Sequence, residues 1–215
     1  MIEAANVEEV GQQIKDELFE RRVGSVFMKQ ILISAVFLML LGACQSNSEA
    51  DQTKTYYDLK GFLEQQIKLL NAQKPQILKQ TTMGNTSDRQ TTSAIDWAKE
   101  LELFMQTDLN KSAFKLSYTT TRPDSTSYEY RLKAGEKLPV KYLIIKTNSV
   151  NQVEELAAEV WQENKLYNSE KRLLLTCGTA KNGTWQLQTY EVTGFQKLAM
   201  SDKKAFSVRS SVLGK

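Results

Sequence analysis

The amino-acid sequence predicts an α+β fold, in which two N-terminal helices pack on one face of a curved antiparallel sheet of roughly six to eight strands. Apolar side chains recur at helical spacing in two segments, 56–75 and 93–109. After Asn110 they alternate with polar side chains instead. The first spacing is typical of amphipathic helices, and alternation is typical of strands with one buried face.

The first predicted helix covers residues 56–74 and stops at Pro75, because proline has no backbone N–H to donate within a helix. Its apolar stripe comprises Leu59, Phe62, Leu63, Ile67 and Leu70. Residues 76–93 then contain two short threonine-containing runs on either side of a Gly-Asn-Thr-Ser-Asp sequence, which is typical of a turn. We expect a β-hairpin there.

The second predicted helix covers residues 93–109. Ser93 is a good N-cap, and Asp96 stands three residues later, which is close to a capping box. The side chains expected to face the core are Ile95, Trp97, Ala98, Leu101, Phe104 and Met105. We expect this apolar content to serve packing rather than a cofactor.

Most of the predicted strands lie in the second half of the chain. Alternation indicates strands at 114–118 and 125–133, and the apolar run at 140–147 indicates a buried strand. Asn182-Gly183 stands between two further runs and predicts a hairpin. Two sets of side chains fit the inward face of its second arm: Trp185, Leu187 and Thr189, or Gln186, Tyr190 and Val192.

Residues 153–163 fit either a helix or a strand. The helical pattern comprises Val153, Leu156, Ala157, Val160 and Trp161, and the strand pattern comprises Leu156, Ala158 and Val160. Strands are expected on both sides, and residues 148–152 are rich in turn formers. We therefore expect a strand within an antiparallel meander.

An export signal precedes the predicted domain. Lys29 supplies a positive charge, and residues 31–41 form an almost unbroken apolar run. The run is too short for a membrane-spanning helix, which needs about 20 residues. A charged start, a short apolar run and small residues at the exit are typical of a cleaved signal peptide.

At Leu41-Gly42-Ala43-Cys44 this segment resembles the lipobox of bacterial lipoproteins. Gly42 stands where that family more often has alanine or serine. The resemblance implies cleavage between Ala43 and Cys44 and attachment of a diacylglycerol to the Cys44 thiol. Two or three acyl chains anchor a protein durably, so the implied partner is a membrane.

These features divide the chain into four parts. Residues 1–27 are acidic, which is the wrong flank for an export signal, so we interpret them as a mis-annotated extension ahead of a start at Met28. Residues 28–43 are the signal peptide. Residues 44–55 are polar and are expected to form a flexible tether. Residues 56–215 are expected to form a single α+β domain.

The resemblance also implies a location in the cell envelope. In enteric bacteria an aspartate directly after the lipidated cysteine favours the inner membrane, whereas this chain has Gln45 there. We therefore expect the outer membrane. The sequence as a whole resembles the uncharacterised envelope lipoproteins of Bacteroidota, a group that brings no assigned activity.

The sequence offers little for catalysis. It contains no histidine, which excludes Ser-His-Asp and Cys-His chemistry and most zinc enzymes. We interpret Glu154, Glu155, Glu159 and Glu163 as a solvated surface, and Cys177 as a small core residue. Without residues 1–43 the chain has 24 basic and 19 acidic residues, and this net charge of +5 is spread along it, which is unlike a nucleic-acid-binding stripe. We expect no enzymatic activity, cofactor, metal or nucleic-acid partner.

Aromatic side chains give the remaining indication of function. A candidate ligand groove comprises Tyr128, Tyr130, Tyr142, Trp161, Tyr167, Trp185 and Tyr190. The expected function is a non-enzymatic, membrane-anchored binding or scaffolding module that faces a protein partner in the envelope. The alternative is a carrier of lipid or another hydrophobic ligand, which would resemble the half-barrels of outer-membrane lipoprotein localisation.

Overall fold

One antiparallel sheet dominates the part of the chain that the computed structural model describes, residues 55–213. In chain order the elements are α1 (Leu59–Gln73), β1 (Gln76–Met83), β2 (Thr86–Thr92), α2 (Trp97–Glu100), α3 (Glu102–Met105), a 3₁₀ turn (Ser112–Phe114), β3 (Tyr118–Thr121), β4 (Ser127–Leu132), β5 (Val140–Thr147), β6 (Val153–Glu163), β7 (Tyr167–Thr179), β8 (Trp185–Leu198) and β9 (Lys204–Leu213).

The nine strands follow the order β2-β1-β9-β8-β7-β6-β5-β4-β3. From β3 to β9 each strand pairs with its neighbour in the chain, so this part is a meander. The β1–β2 hairpin instead pairs with β9, with Ile77 opposite Val212. The strands of 55–213 thus form a sheet in which an N-terminal hairpin extends a C-terminal meander.

The antiparallel, strand-rich part of the predicted fold is confirmed, but the prediction of two N-terminal helices is wrong. Only α1 is longer than a single turn among the described helices. The sheet also exceeds the expected six to eight strands, because the β1–β2 hairpin joins it. Residues 153–163 form β6, so the choice of a strand over a helix was correct.

Hydrogen bonds at Asp58 and at Lys74 define the two ends of helix α1. The Asp58 carboxylate accepts a hydrogen bond from the Gly61 amide at 3.0 Å and caps the first turn. Lys74 adopts a left-handed conformation, and its N–H donates to the Leu70 carbonyl at 2.9 Å. The buried positions are Leu59, Leu63, Gln66 and Leu70, and Phe62 and Ile67 are half-buried.

The second predicted helix is broken at Leu101, which has φ −96° and ψ 6°. Asp96, not Ser93, caps its first turn by accepting from the Lys99 amide at 3.2 Å. Trp97 and Phe104, on the two sides of the break, are both buried. Helical spacing alone does not reveal such a break, because each half keeps its apolar side chains.

A β-bulge decides which side chains of β8 point inward. Thr176 lies opposite Thr189, but Cys177 lies opposite Leu187, so Gln188 is the extra residue. Leu187 on one side of the bulge and Tyr190 on the other are therefore both buried. Each of the two predicted inward sets is correct over only half of the strand.

The helices cover one face of the sheet. The inward-facing side chains of the central strands are buried, and they form a cluster with α1, α2 and α3. The central residues of this cluster are Leu63, Leu101, Leu143, Ile145, Leu156, Leu173 and Leu175. We call the opposite face the open face, because no side chain of β5, β6 or β7 that projects from it is buried.

Both ends of α1 lie beside hairpins at one end of the strands. Asp58 lines a cleft with Gln152, next to the β5–β6 hairpin, and Gln73 lines one with Asn182, in the β7–β8 hairpin. The β1–β2, β6–β7 and β8–β9 hairpins lie at the other end, because the strands are antiparallel in this order.

No helix within 55–213 is long and apolar enough to cross a membrane.

Candidate functional site

The predicted lipidation site, Cys44, and the predicted cleavage site between Ala43 and Cys44 lie outside the described residues. The predicted aromatic groove can be located in full. Tyr128, Tyr130, Trp185 and Tyr190 lie on the face that the helices cover, and Tyr142 and Trp161 project from the open face. Tyr167 lies at the start of β7, where it lines a shallow depression with Trp161. The seven rings are thus divided between the two faces and do not line one groove.

A cluster of tyrosines holds the first described residues of the chain. The Tyr56 ring packs edge-on against Tyr130, with 5.3 Å between the ring centroids, and against Tyr118 at 6.0 Å. The Tyr57 amide donates to the Tyr130 hydroxyl at 3.0 Å. Tyr57 also packs on Tyr128, whose other side contacts the Arg122 guanidinium. These rings are packing residues rather than a ligand site.

Asn110 clamps the same segment through its side-chain amide. Its oxygen accepts from the Tyr56 amide at 3.0 Å, and its nitrogen donates to the Tyr56 carbonyl at 3.3 Å and to the Tyr57 carbonyl at 2.9 Å. A single side chain therefore satisfies three backbone groups just before α1. The chain enters the domain at a fixed point.

Burial controls the ionisation of the nearby groups. Desolvation, aided by Tyr128 and Asp58, raises the pKa of Tyr57 to about 12. Burial also raises the pKa of the Cys177 thiol to about 12. At neutral pH Cys177 is therefore a thiol, which is a poor nucleophile. This supports its interpretation as a packing residue.

A cleft of about 390 Å³ lies beside the N-terminus of α1. Its lining includes Phe62 and Gln65 on the helix and Trp185 on β8. The Trp185 indole donates to the Val153 carbonyl at 3.0 Å, which fixes the ring against β6. The mixed lining gives the cleft no catalytic group beyond the Asp58 carboxylate, which already caps the helix.

A charged cluster connects α2 to the sheet beneath it. Lys79, Ser210 and Tyr190 lie side by side on the inward face of β1, β9 and β8. Glu100 reaches them from α2, accepting from the Lys79 ammonium at 2.5 Å and from the Tyr190 hydroxyl. Desolvation and the hydrogen bond to Glu100 raise the pKa of Tyr190. The arrangement fastens α2 to three strands.

An apolar patch lies on the open face. Ile144, Ala157 and Leu174 are directly opposite one another on β5, β6 and β7. Tyr142 extends this row along β5, and Trp161 lies on the same face of β6 beyond Glu159, which is opposite Tyr142. The Trp161 side chain is 47% exposed and Leu174 is 38% exposed. We call these five residues the open-face patch.

Ion pairs flank the row of Ile144, Ala157 and Leu174, and one of them stands between this row and Trp161. Arg172 pairs with Glu170 at 2.7 Å and with Glu159 at 3.5 Å. Lys146 pairs with Glu155 at 2.8 Å on the other side. The apolar side chains are thus bordered by charged ones, which we call the rim, and protein–protein interfaces combine apolar and polar side chains in this way.

The glutamates of β6 form the expected solvated surface only in part, because the Glu159 side chain is 16% exposed. Glu155 and Glu159 are engaged in the ion pairs of the rim, and Glu163 is exposed at the end of the strand. Within the part of the chain that the structure describes, no group of three or more His, Cys, Asp or Glu side chains could hold a metal ion.

Sequence reasoning identified two members of the patch, Tyr142 and Trp161, but grouped them with inward-facing rings. It missed Ile144, Ala157 and Leu174. The available signal was the alternation itself, since Leu143 and Ala158 mark the buried face and their neighbours must point the other way.

Comparisons with protein-family models, with curated proteins and with solved structures found no significant match to this chain.

Proposed function

We propose that the chain is a lipid-anchored protein of the bacterial cell envelope that acts, without enzymatic activity, as a binding or scaffolding module for another protein. The observation that carries the binding role is the open-face patch. Its five side chains lie on a sheet whose other face is filled by helices. The partner is therefore expected to dock on the open face.

The composition of the patch supports a protein as the occupant. Tryptophan and tyrosine are enriched among the side chains that dominate binding energies, and here Trp161 and Tyr142 lie on the same face of neighbouring strands. The rim supplies both signs of charge, through Arg172 and Glu155 among others. A partner with a complementary pattern of charge would be oriented by these groups.

The anchoring role rests on the sequence around Cys44. A lipid there would bind the chain to a membrane through the polar tether of residues 44–55, with the outer membrane expected from Gln45. The Asn110 clamp gives this tether a fixed point of entry into the domain. Force or restraint applied through the tether would thus act on the tyrosine cluster and on α1.

The alternative function, a carrier of a hydrophobic ligand, receives less support. An acyl chain would need an apolar cavity between α1 and the sheet. The side chains at that interface, including Leu63, Leu70 and Leu156, are fully buried against one another. The cleft beside Trp185 has a mixed lining that includes Asn151 and Gln152.

The intact mass of the protein from native membranes tests the anchor. We expect a chain that begins at an acylated Cys44, and a longer, unlipidated precursor when the lipoprotein signal peptidase is inhibited. The variant Cys44→Ser should leave the membrane fraction or accumulate as the precursor. A chain that retains Met1 and carries no lipid would disprove the anchoring.

Photo-crosslinking tests the binding role. A benzophenone amino acid introduced in place of Tyr142 should give one discrete protein adduct in native membranes, and Trp161→Ala should abolish it. The same amino acid in place of Thr189, which is exposed on the open face three strands away, is the matched control. The crosslinked partner is then identified, and the same adduct should form when the two purified proteins are mixed. Equal crosslinking from both positions would disprove the assignment.

A further inference from the structure

Four apolar side chains are exposed at the end of the sheet opposite α1. Met200 is 101% exposed, Leu166 is 72% exposed, Leu198 is 58% exposed and Met83 is 52% exposed. They belong to the β8–β9, β6–β7 and β1–β2 hairpins, which are neighbours in the sheet order. We call this group the hairpin tips.

Backbone hydrogen bonds hold the three hairpins together. The Ala199 amide donates to the Leu166 carbonyl at 3.0 Å, which joins the β8–β9 hairpin to the β6–β7 hairpin. The Gly84 amide donates to the Ala205 carbonyl at 3.0 Å, which joins the β1–β2 hairpin to β9. The apolar side chains are thus carried on one connected edge rather than on independent loops.

Lysines accompany the apolar side chains at this edge. The exposed lysines are Lys165, Lys197, Lys203 and Lys204, against the exposed acids Glu163 and Asp202. None of these lysines forms an ion pair with another residue of 55–213. Lys203 contacts the Phe195 ring. Four lysines against two acids leave the local charge positive.

We propose that the hairpin tips dock on an anionic lipid bilayer surface. Apolar side chains that project from lysine-bearing hairpins match the layered chemistry of such a surface, where headgroup charge lies just outside hydrocarbon. A protein partner is disfavoured because lysine is depleted at protein interfaces. The hairpin tips also lack the aromatic anchors found in the open-face patch. The two surfaces therefore recognise different classes of partner.

This contact lies far from the point where the chain enters the domain. Tyr57 lines a cleft with Trp185 at the start of β8, whereas Leu198 ends the same strand. At about 3.3 Å per residue, the strand separates the two by about 40 Å. The hairpin tips thus provide a second membrane contact that does not depend on a lipid at Cys44.

Fluorescence in vesicles tests this contact with the full chain. An environment-sensitive dye is attached through Met200→Cys, and the matched control carries it through Val150→Cys, an exposed position on the β5–β6 hairpin at the other end of the sheet. The dye is attached with and without Cys44→Ser, and the chain with Cys44→Ser alone is the labelling blank, because its remaining Cys177 thiol has its pKa raised to about 12 and reacts slowly. Vesicles contain brominated phosphatidylcholine with or without phosphatidylglycerol.

We expect the dye at position 200 to be quenched at least about twofold more by brominated lipid in vesicles with phosphatidylglycerol than in those without it. The dye at position 150 should show no such difference. Replacing Lys197 and Lys204 by glutamine should remove the difference at position 200. A chain with Cys44→Ser should give the same contrast, so a failure of lipid anchoring and a failure of tip docking are distinguishable.

Equal quenching at positions 200 and 150 would overturn the proposal, and so would quenching at position 200 that does not depend on phosphatidylglycerol. Shielding of the dye at position 200 in native membranes, without quenching in protein-free vesicles, would also overturn it. That result would assign the hairpin tips to a protein partner instead.

Discussion

The side-chain oxygen of Gln66 on α1 accepts a hydrogen bond from the backbone amide of Leu187 on β8 at 2.9 Å. The bulge at Gln188 interrupts the ladder next to this amide, so a helix side chain supplies the acceptor that a neighbouring strand does not. Both Gln66 and Leu187 are buried. A polar residue inside the apolar stripe of α1 thus compensates for an irregularity in the sheet.

The first prediction concerns this bond. Gln66→Leu should lower the free energy of unfolding by about 1–3 kcal/mol, because it leaves the buried Leu187 amide without an acceptor. Gln65→Leu is the matched control, since Gln65 is exposed one residue earlier on the same helix. Its effect should stay within about 0.5 kcal/mol. Urea denaturation measures both, and equal midpoints for the two variants would contradict the assignment.

A second prediction concerns the close approach of β7 and β8 at Gly194. A Cβ added there would lie 2.0 Å from the Glu170 carbonyl oxygen, which belongs to the backbone and cannot rotate away. Gly194→Ala should therefore cost at least about 2 kcal/mol of stability. Gly178→Ala is the control, because its nearest neighbour is the flexible Gln188 side chain at 3.4 Å. Thermal unfolding that places the two variants together would disprove this reading.

Local patterns predicted the elements better than their arrangement. The Asn182-Gly183 turn, α1 and strand β6 follow from side-chain alternation, turn residues and Pro75, all of which act over a few residues. The break at Leu101 does not, because it depends on burying side chains on both sides of it. The pairing of β1 with β9 joins opposite ends of the domain and leaves no local signature.

For the candidate site, the sequence predicted two of the aromatic residues but not the face of the sheet on which each ring lies. The aromatic content of the sheet singled out Tyr142 and Trp161, yet the face that each ring occupies depends on the register of its strand. In β8 the register changes at Gln188, so alternation counted from Trp185 fails before Tyr190. Bulges are set by packing between strands, which a single sequence does not display.

The third prediction concerns the ion pair between Lys79 and Glu100. Glu100→Gln should lower the free energy of unfolding by about 1–3 kcal/mol, because the largely buried ammonium loses its counter-ion. Lys79→Met should do the same by leaving the carboxylate unpaired. The double variant should recover part of the loss, and the cycle of denaturation experiments gives the coupling energy. Strictly additive losses would show that the pair does not fasten α2.

The fourth prediction is a loss of stability in alkali. Burial raises the pKa of Tyr57 from 10.0 to about 12 in the folded protein. Below pH 10 both states keep the phenol proton, but between pH 10 and 12 only the unfolded state loses it. Stability therefore falls as the pH rises through this window. Burial raises the pKa of Tyr118, Tyr130 and Tyr190 as well, so they act in the same direction.

Tyr57→Phe isolates the contribution of one ring. The variant should lose stability less steeply than the parent between about pH 10 and 12, while lysine titration affects both chains equally. Denaturant midpoints measured across this range give the comparison, and absorbance at alkaline pH reports tyrosinate formation. Parallel curves for the two chains would mean that Tyr57 ionises normally.

The last prediction concerns the Asn110 clamp. Asn110→Ala removes the acceptor of the Tyr56 amide and the donor to the Tyr56 and Tyr57 carbonyls. Hydrogen exchange at the Tyr56 amide should become at least about fivefold faster, because losing a hydrogen bond there costs about 1 kcal/mol or more. Exchange at the Leu70 amide, inside α1, should not change.

Asn110→Asp separates the two halves of the clamp. It keeps the oxygen that the Tyr56 amide binds but replaces the donor by a second oxygen, which faces the two carbonyls. The segment should therefore loosen at Tyr57 while Tyr56 stays partly protected. If both variants exchange like the parent, the tyrosine rings hold this segment without Asn110. A tether attached before Tyr56 would then transmit restraint through ring packing rather than through hydrogen bonds.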